Sequence, residues 1–89
     1  MKTLRLRDLK GLGPRSEVQL GNVGITSPDV LRRIGAVGAY ERLVRAGAPV
    51  SLNMLWALEG ALSDRDWREV ARDDRTALLA ELDRRAIAP

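Results

Sequence analysis

Residues 52–62, LNMLWALEGAL, carry apolar side chains nearly all the way round a helix. A surface helix keeps one apolar stripe and a polar back; a helix without that back has to be enclosed by other elements. In a chain of 89 residues this requirement decides most of the architecture. The remaining segments must supply short helices that wrap Leu52, Met54, Leu55, Trp56, Leu58 and Leu62. No stretch alternates β-branched and polar residues as a strand would. The expected fold is all-α: one domain over residues 1–89, a compact bundle of six to seven short helices.

Glycine and proline mark where the surrounding helices begin and end. A first short helix is expected over about Leu4 to Leu9, ending at Gly11. A second opens at Gly13-Pro14, where the missing proline N–H costs nothing, presents Val18 and Leu20, and stops around Gly24. Thr26 or Ser27 caps a third, with Pro28 and Asp29 in its first turn, Val30, Leu31 and Ile34 buried, and Gly35 at its end. A fourth runs from about Val37 to Ala46, with Tyr40, Leu43 and Val44 on one face and Gly47 at the exit. Pro49 separates it from the central helix, which Ser51 caps. Ser63 is expected to start a sixth, with Asp66 in a capping-box-like position and Trp67 and Val70 facing inward. A last helix from about Arg72 to Arg85 shows a thin stripe of Leu78, Leu79 and Leu82. Leu20 and Gly24 echo Leu43 and Gly47, a spacing common at helix ends and not read as a repeat.

The chain has no Cys and no His. That removes disulfides, thiol chemistry, the usual zinc and haem ligands and the commonest general base. Ser51 and Asn53 therefore have no partner to activate them, and the acidic pairs lack metal-ligand spacing. A non-enzymatic chain without cofactor or metal is expected. The opening MKTLRLRDLKGLG has no apolar signal-peptide core, and no run nears the roughly 20 apolar residues of a membrane span. The expected location is cytoplasmic, away from membranes.

The net charge of +3 is unevenly spread. Residues 1–47 hold nine Lys or Arg against Asp8, Glu17, Asp29 and Glu41, giving +5, whereas residues 48–89 hold six Arg against eight acids, giving −2. The first half has the sign needed to approach a polyanion.

Three segments together resemble a known family: LGPRSEVQLGNVGI at 12–25, LRRIGAVGAYERL at 31–43, and VSLNMLWALEGAL at 50–62, followed by Trp67. They are similar to the C-terminal domain of the TfoX/Sxy proteins, regulators associated with bacterial competence for DNA uptake. The likeness covers about residues 9–83 and implies a compact helical domain whose front is a helix-hairpin-helix-like unit. It also implies a link to control of competence genes, here in a stand-alone form without the N-terminal domain that many members carry. Ala71-Arg72 departs from the family's pattern, which has a capping serine near the start of the last helix.

The candidate site is the hairpin itself. Gly11 and Gly13 would let the backbone turn sharply and leave N–H groups uncovered, a donor cluster suited to a phosphate oxygen. Lys10 and Arg15 flank it, and Arg5 and Arg7 could extend the basic patch. Contact of this kind reads backbone and not base sequence. Glu17, where DNA-binding hairpins of this type usually carry alanine, would repel a phosphate or cap an N–H that the phosphate would otherwise use. The expected partner is DNA, bound weakly and non-specifically; the alternative is an acidic protein partner with the hairpin purely structural. The stripe Arg65, Arg68, Arg72 and Arg75 is interleaved with acids and is expected to be a salt-bridged surface, and Trp56 and Trp67 to be core.

Overall fold

The computed structural model describes residues 4–88. The described residues are helical throughout the regular segments: a 3-10 turn Leu6–Asp8, then α1 (Pro14–Gly21), α2 (Pro28–Ile34), α3 (Ala36–Arg45), α4 (Leu52–Ser63), α5 (Trp67–Asp73) and α6 (Arg75–Arg84). α4 lies between α3 and α5; α1 packs on the 3-10 turn and on α3, and α6 closes against α5 and α3.

Leu55, Trp56 and Leu58 of α4 are buried together with Leu20, Leu31, Tyr40, Leu43, Val70 and Leu82 in one core. Burying one such side chain stabilises by about 1.5–3 kcal/mol, so α4 is the energetic centre. It is not fully enclosed, however: Leu52, Met54, Ala57, Ala61 and Leu62 are only half-buried. The six short helices of so small a chain cannot surround the whole circumference.

Four helices end in one closure. Ile25, Ala48, Arg65 and Ile87 each donate a backbone N–H to the carbonyl five residues back, at 2.9, 3.0, 2.8 and 2.9 Å. The residue before each has a left-handed backbone: Gly24, Gly47, Asp64 and Ala86, with φ of 85, 77, 54 and 56°. This is the Schellman arrangement, which satisfies carbonyls that a helix end would otherwise leave unpaired. It accounts for the echo between Leu20…Gly24 and Leu43…Gly47. It also buries Ile25 and Ile87, which follow the caps and belong to no helix.

The structure corrects several expected boundaries. The first helix is a single 3-10 turn: the Asp8 and Leu9 N–H groups are bonded three residues back, and the chain leaves the turn in extended backbone at Leu9. Ser63 ends α4 and does not begin the next helix; its hydroxyl donates back to the Glu59 carbonyl at 2.7 Å. Asp64 then turns left-handed, and Asp66 caps α5 by accepting from the Arg68 N–H at 2.8 Å. α5 continues past Arg72 to Asp73, so α6 starts at Arg75. Val18, expected on the inner face of α1, is 60% exposed, while Leu20 is fully buried. Ser51 occupies the N-cap of α4, but its side chain makes no capping bond, whereas Ser27 accepts from the Val30 N–H at 3.3 Å.

Candidate functional site

The segment from Lys10 to Arg15 links the 3-10 turn to α1. It is held from below: Leu12 is buried and its N–H donates to the Leu9 carbonyl at 3.1 Å. Lys10, Gly11 and Arg15 are exposed, so the corner turns its charged flanks outward. Neither Lys10 nor Arg15 forms an ion pair among the described residues.

The two glycines differ in kind. Gly11 has φ +83°, a backbone conformation that favours glycine, and a Cβ there would sit 3.9 Å from the Ala57 carbonyl oxygen of α4. Its role in the turn is conformational. Gly13 has φ −131° and ψ −173°, extended backbone that any residue adopts, and a Cβ there would meet nothing within 4 Å. Nothing within the described fold requires glycine at 13. Gly13 is the N-cap of α1, Pro14 follows as the first helical residue, and no side chain caps the helix. The first-turn N–H groups of a helix have no partner inside it.

Glu17 does not reach this corner. Its carboxylate accepts from Arg7 twice, from Nε at 2.8 Å and from the backbone N–H at 3.2 Å, and Arg7 Nη2 stands 2.8 Å from the same oxygen Oε1. The side-chain hydrogen bond from Arg7 holds the Glu17 carboxyl below its ordinary value. Glu17 lies two positions beyond Arg15, about 200° round the helix, and it ties the 3-10 turn to α1. The expected use of Glu17 as a cap on a free helix N–H is therefore replaced by an ion pair. Arg7 in turn is committed to Glu17 and does not extend the basic patch around Lys10 and Arg15.

Beside the corner, α1 and the chain entering α4 enclose a groove of about 360 Å³. Arg15, Ser16 and Gln19 form one wall; Val50, Asn53 and Met54 belong to the other. Helical spacing places positions 15, 16 and 19 on one face of α1.

Much of the charged surface on α5 and the turn before it is internally paired. Arg65 binds Asp74 through both ends of its guanidinium, Arg72 binds Asp73 at 2.8 Å, and Arg68 lies 3.8 Å from Asp66. Arg75 has its guanidinium 5.9 Å from the ring centre of Trp56, and Arg68 lies 5.1 Å from that of Trp67. Arg65, Arg68 and Arg72 of the stripe are thus salt-bridged, as its interleaved acids predict, whereas Arg75 lies over Trp56 and forms no ion pair among the described residues. Trp56 is core and Trp67 is half-buried at its edge. Among the described residues, no group of three or more carboxylates could hold a metal ion, and no helix is long and apolar enough to cross a membrane.

The order and spacing of these elements match known proteins. The "DNA transformation protein TfoX" of Haemophilus influenzae is 35% identical over 81 residues, covering 91% of this chain. The chain spans only 37% of that protein's length. A crystal structure of an uncharacterized protein from Listeria monocytogenes superposes with a TM-score of 0.77 at 28% identity, over 84% of this chain and 85% of that one. The TfoX C-terminal domain is matched over residues 2–82, and the chain belongs to that family.

Proposed function

We propose that this chain is a competence-related regulatory binding module that touches the DNA backbone weakly and non-specifically through Lys10, Gly11, Gly13 and Arg15. The observation that carries this reading is Gly13. Its backbone and its surroundings place no demand for glycine, and the space above it is open. A bare backbone at an open helix start, flanked by two cations without ion-pair partners among the described residues, suits the close approach of a phosphate oxygen. The engagement of Glu17 with Arg7 supports the reading, because the carboxylate four positions beyond Gly13 is already neutralised by an arginine. The name of the Haemophilus influenzae relative points the same way. The role is non-enzymatic and needs no cofactor.

If about three phosphates are engaged, the salt slope is near −2.7 and affinity falls roughly fortyfold between about 50 and 200 mM salt. Non-specific binding of this kind lies at about 10⁻⁴ to 10⁻⁶ M. Fluorescence anisotropy of a labelled duplex at these two salt concentrations tests the reading. The Lys10→Glu/Arg15→Glu variant should lose binding, and Gly13→Ala should weaken it while melting at nearly the native temperature. No binding by the folded native chain at low salt, or binding indifferent to both variants, refutes it. In the second case the corner is structural and the module serves a protein partner.

A further inference from the structure

The groove between α1 and residues 49–54 has, apart from Arg15, a chemistry that the DNA reading does not use. Its volume of about 360 Å³ falls within the range of ligand-holding clefts. Val50, Met54 and Ala57 give it an apolar floor, and Ser16, Gln19 and Asn53 give it a polar rim. The side chains of Ser16, Gln19, Ser51 and Asn53 make no hydrogen bond to another described residue. Arg15 is the one charged residue lining the groove. Among the described residues it forms no ion pair, as is also true of Arg5, Arg33, Arg42 and Arg75, and it is the one of these that lines the groove.

We infer that this groove docks an extended, acidic segment of a protein partner. An extended peptide sends alternate side chains to opposite sides. Apolar residues at every second position would settle on Val50 and Met54, and a methionine floor adapts to side chains of different shape. The Gln19 and Asn53 amides, each both donor and acceptor, match the exposed N–H and C=O groups of such a main chain. Arg15 supplies the one charge among the described lining residues and favours a carboxylate opposite it; none of those residues is acidic and would compete. A docked helix has its backbone groups already paired and could meet these amides only through its own side chains. The inference stands independently of DNA contact, although Arg15 would serve both.

The test uses the full ¹⁵N-labelled chain and a blocked seven-residue peptide alternating aspartate with valine, followed by backbone amide shifts. The expected result is saturable shifts confined to residues 15–19 and 49–57, with Kd on the order of 1 mM. Replacing the aspartates with asparagine, or making Arg15→Gln, should weaken binding about three- to fivefold, as the loss of one exposed ion pair does. Gln19→Ala/Asn53→Ala should weaken peptide binding yet leave the anisotropy of duplex DNA unchanged, whereas Lys10→Glu should do the reverse. These side chains lie outside the core, and an unchanged amide spectrum away from the groove shows that each variant is folded. No groove shifts at several times the expected Kd overturns the proposal. So do equal shifts with the asparagine peptide, or shifts scattered over the other arginine faces.

Discussion

Gly60→Ala offers the sharpest measure of how tightly the two central helices are joined. In an open helix the change would stabilise by about 1 kcal/mol, because alanine loses less backbone freedom than glycine. At position 60 the new Cβ would lie 2.6 Å from the Arg65 carbonyl oxygen, 3.5 Å from the Trp67 nitrogen and 3.6 Å from the Arg65 carbonyl carbon. All three are backbone atoms, so no side chain can swing away. Ordinary contact with that oxygen needs at least 3.4 Å, which asks the 64–66 segment to retreat by 0.8 Å (3.4 − 2.6). That segment is pinned by the Arg65 N–H to the Gly60 carbonyl at 2.8 Å, by the Arg65–Asp74 ion pair and by the Asp66 cap on α5. Losing one or two such bonds costs about 1 kcal/mol each, and overpacking costs about 1–3 kcal/mol. Taken together and set against the propensity gain, the net loss is about 1–4 kcal/mol, a fall in Tm of roughly 4–32 °C for a chain of this size. Thermal melting by circular dichroism reads this directly, with Gly21→Ala as reference, since a Cβ at 21 meets nothing within 4 Å. A Tm for Gly60→Ala that rises as in an open helix would refute the close approach of α4 to the 64–66 turn.

Ala86 holds a left-handed conformation that costs a non-glycine residue about 1–2 kcal/mol. Allowing about 0.4–1 kcal/mol for the extra freedom of an unfolded glycine, Ala86→Gly should raise stability by about 0.5–1 kcal/mol, measured by urea denaturation; a loss would show that the closure around Ile87 is not formed. Gly11→Ala faces the same two terms with the opposite sign and should cost about 0.5–1 kcal/mol, while at Gly13, the N-cap of α1, the N-cap preference for glycine over alanine is offset by the greater freedom of an unfolded glycine, so Gly13→Ala stays within about 0.5 kcal/mol of native. Equal losses at both positions in the same denaturation would contradict the distinction drawn between them. Acid should destabilise the fold: hydrogen bonds from arginines hold Glu17, Glu41, Asp73, Asp74 and Glu81 below their ordinary values of 4.5 or 3.8. Their stabilisation is complete above about pH 4.5 and is lost as pH falls through the lowered folded values, so Tm should drop between about pH 5 and pH 3. Glu59 shifts the other way, raised by burial and then by Asp74, with Arg65 opposing. Its ionisation therefore removes stability as pH rises above 4.5 through the raised folded value. Glu59→Gln should accordingly raise Tm at neutral pH and leave it unchanged at about pH 3; the same gain at both would refute this account.

The candidate corner was visible in the sequence as Lys10, Gly11, Gly13 and Arg15, because glycine spacing and charge are local features. What each glycine does was not visible. Gly11 and Gly13 look alike as letters, and only the dihedral angles separate a residue needed for its turn from one whose space is empty. Arg7 and Glu17 are ten positions apart, so their pairing is a property of how the 3-10 turn folds onto α1. The groove is likewise non-local, since Arg15 and Gln19 meet residues 49–57 only when α1 lies beside α4.

The helical class, the number of helices and most of their inner faces follow from the sequence alone. Apolar spacing, proline at helix starts and glycine at helix ends act within a few residues, and such effects survive any tertiary arrangement. The boundary at 63–66 and the core roles of Leu6, Leu12, Ile25 and Ile87 were decided by the tertiary structure. None of these four residues lies on an amphipathic α-helix. Ile25 and Ile87 are buried because Gly24 and Ala86 before them take the left-handed conformation that closes the helix end, and Leu6 and Leu12 because a chain this small must draw its loops into the core to bury enough apolar surface.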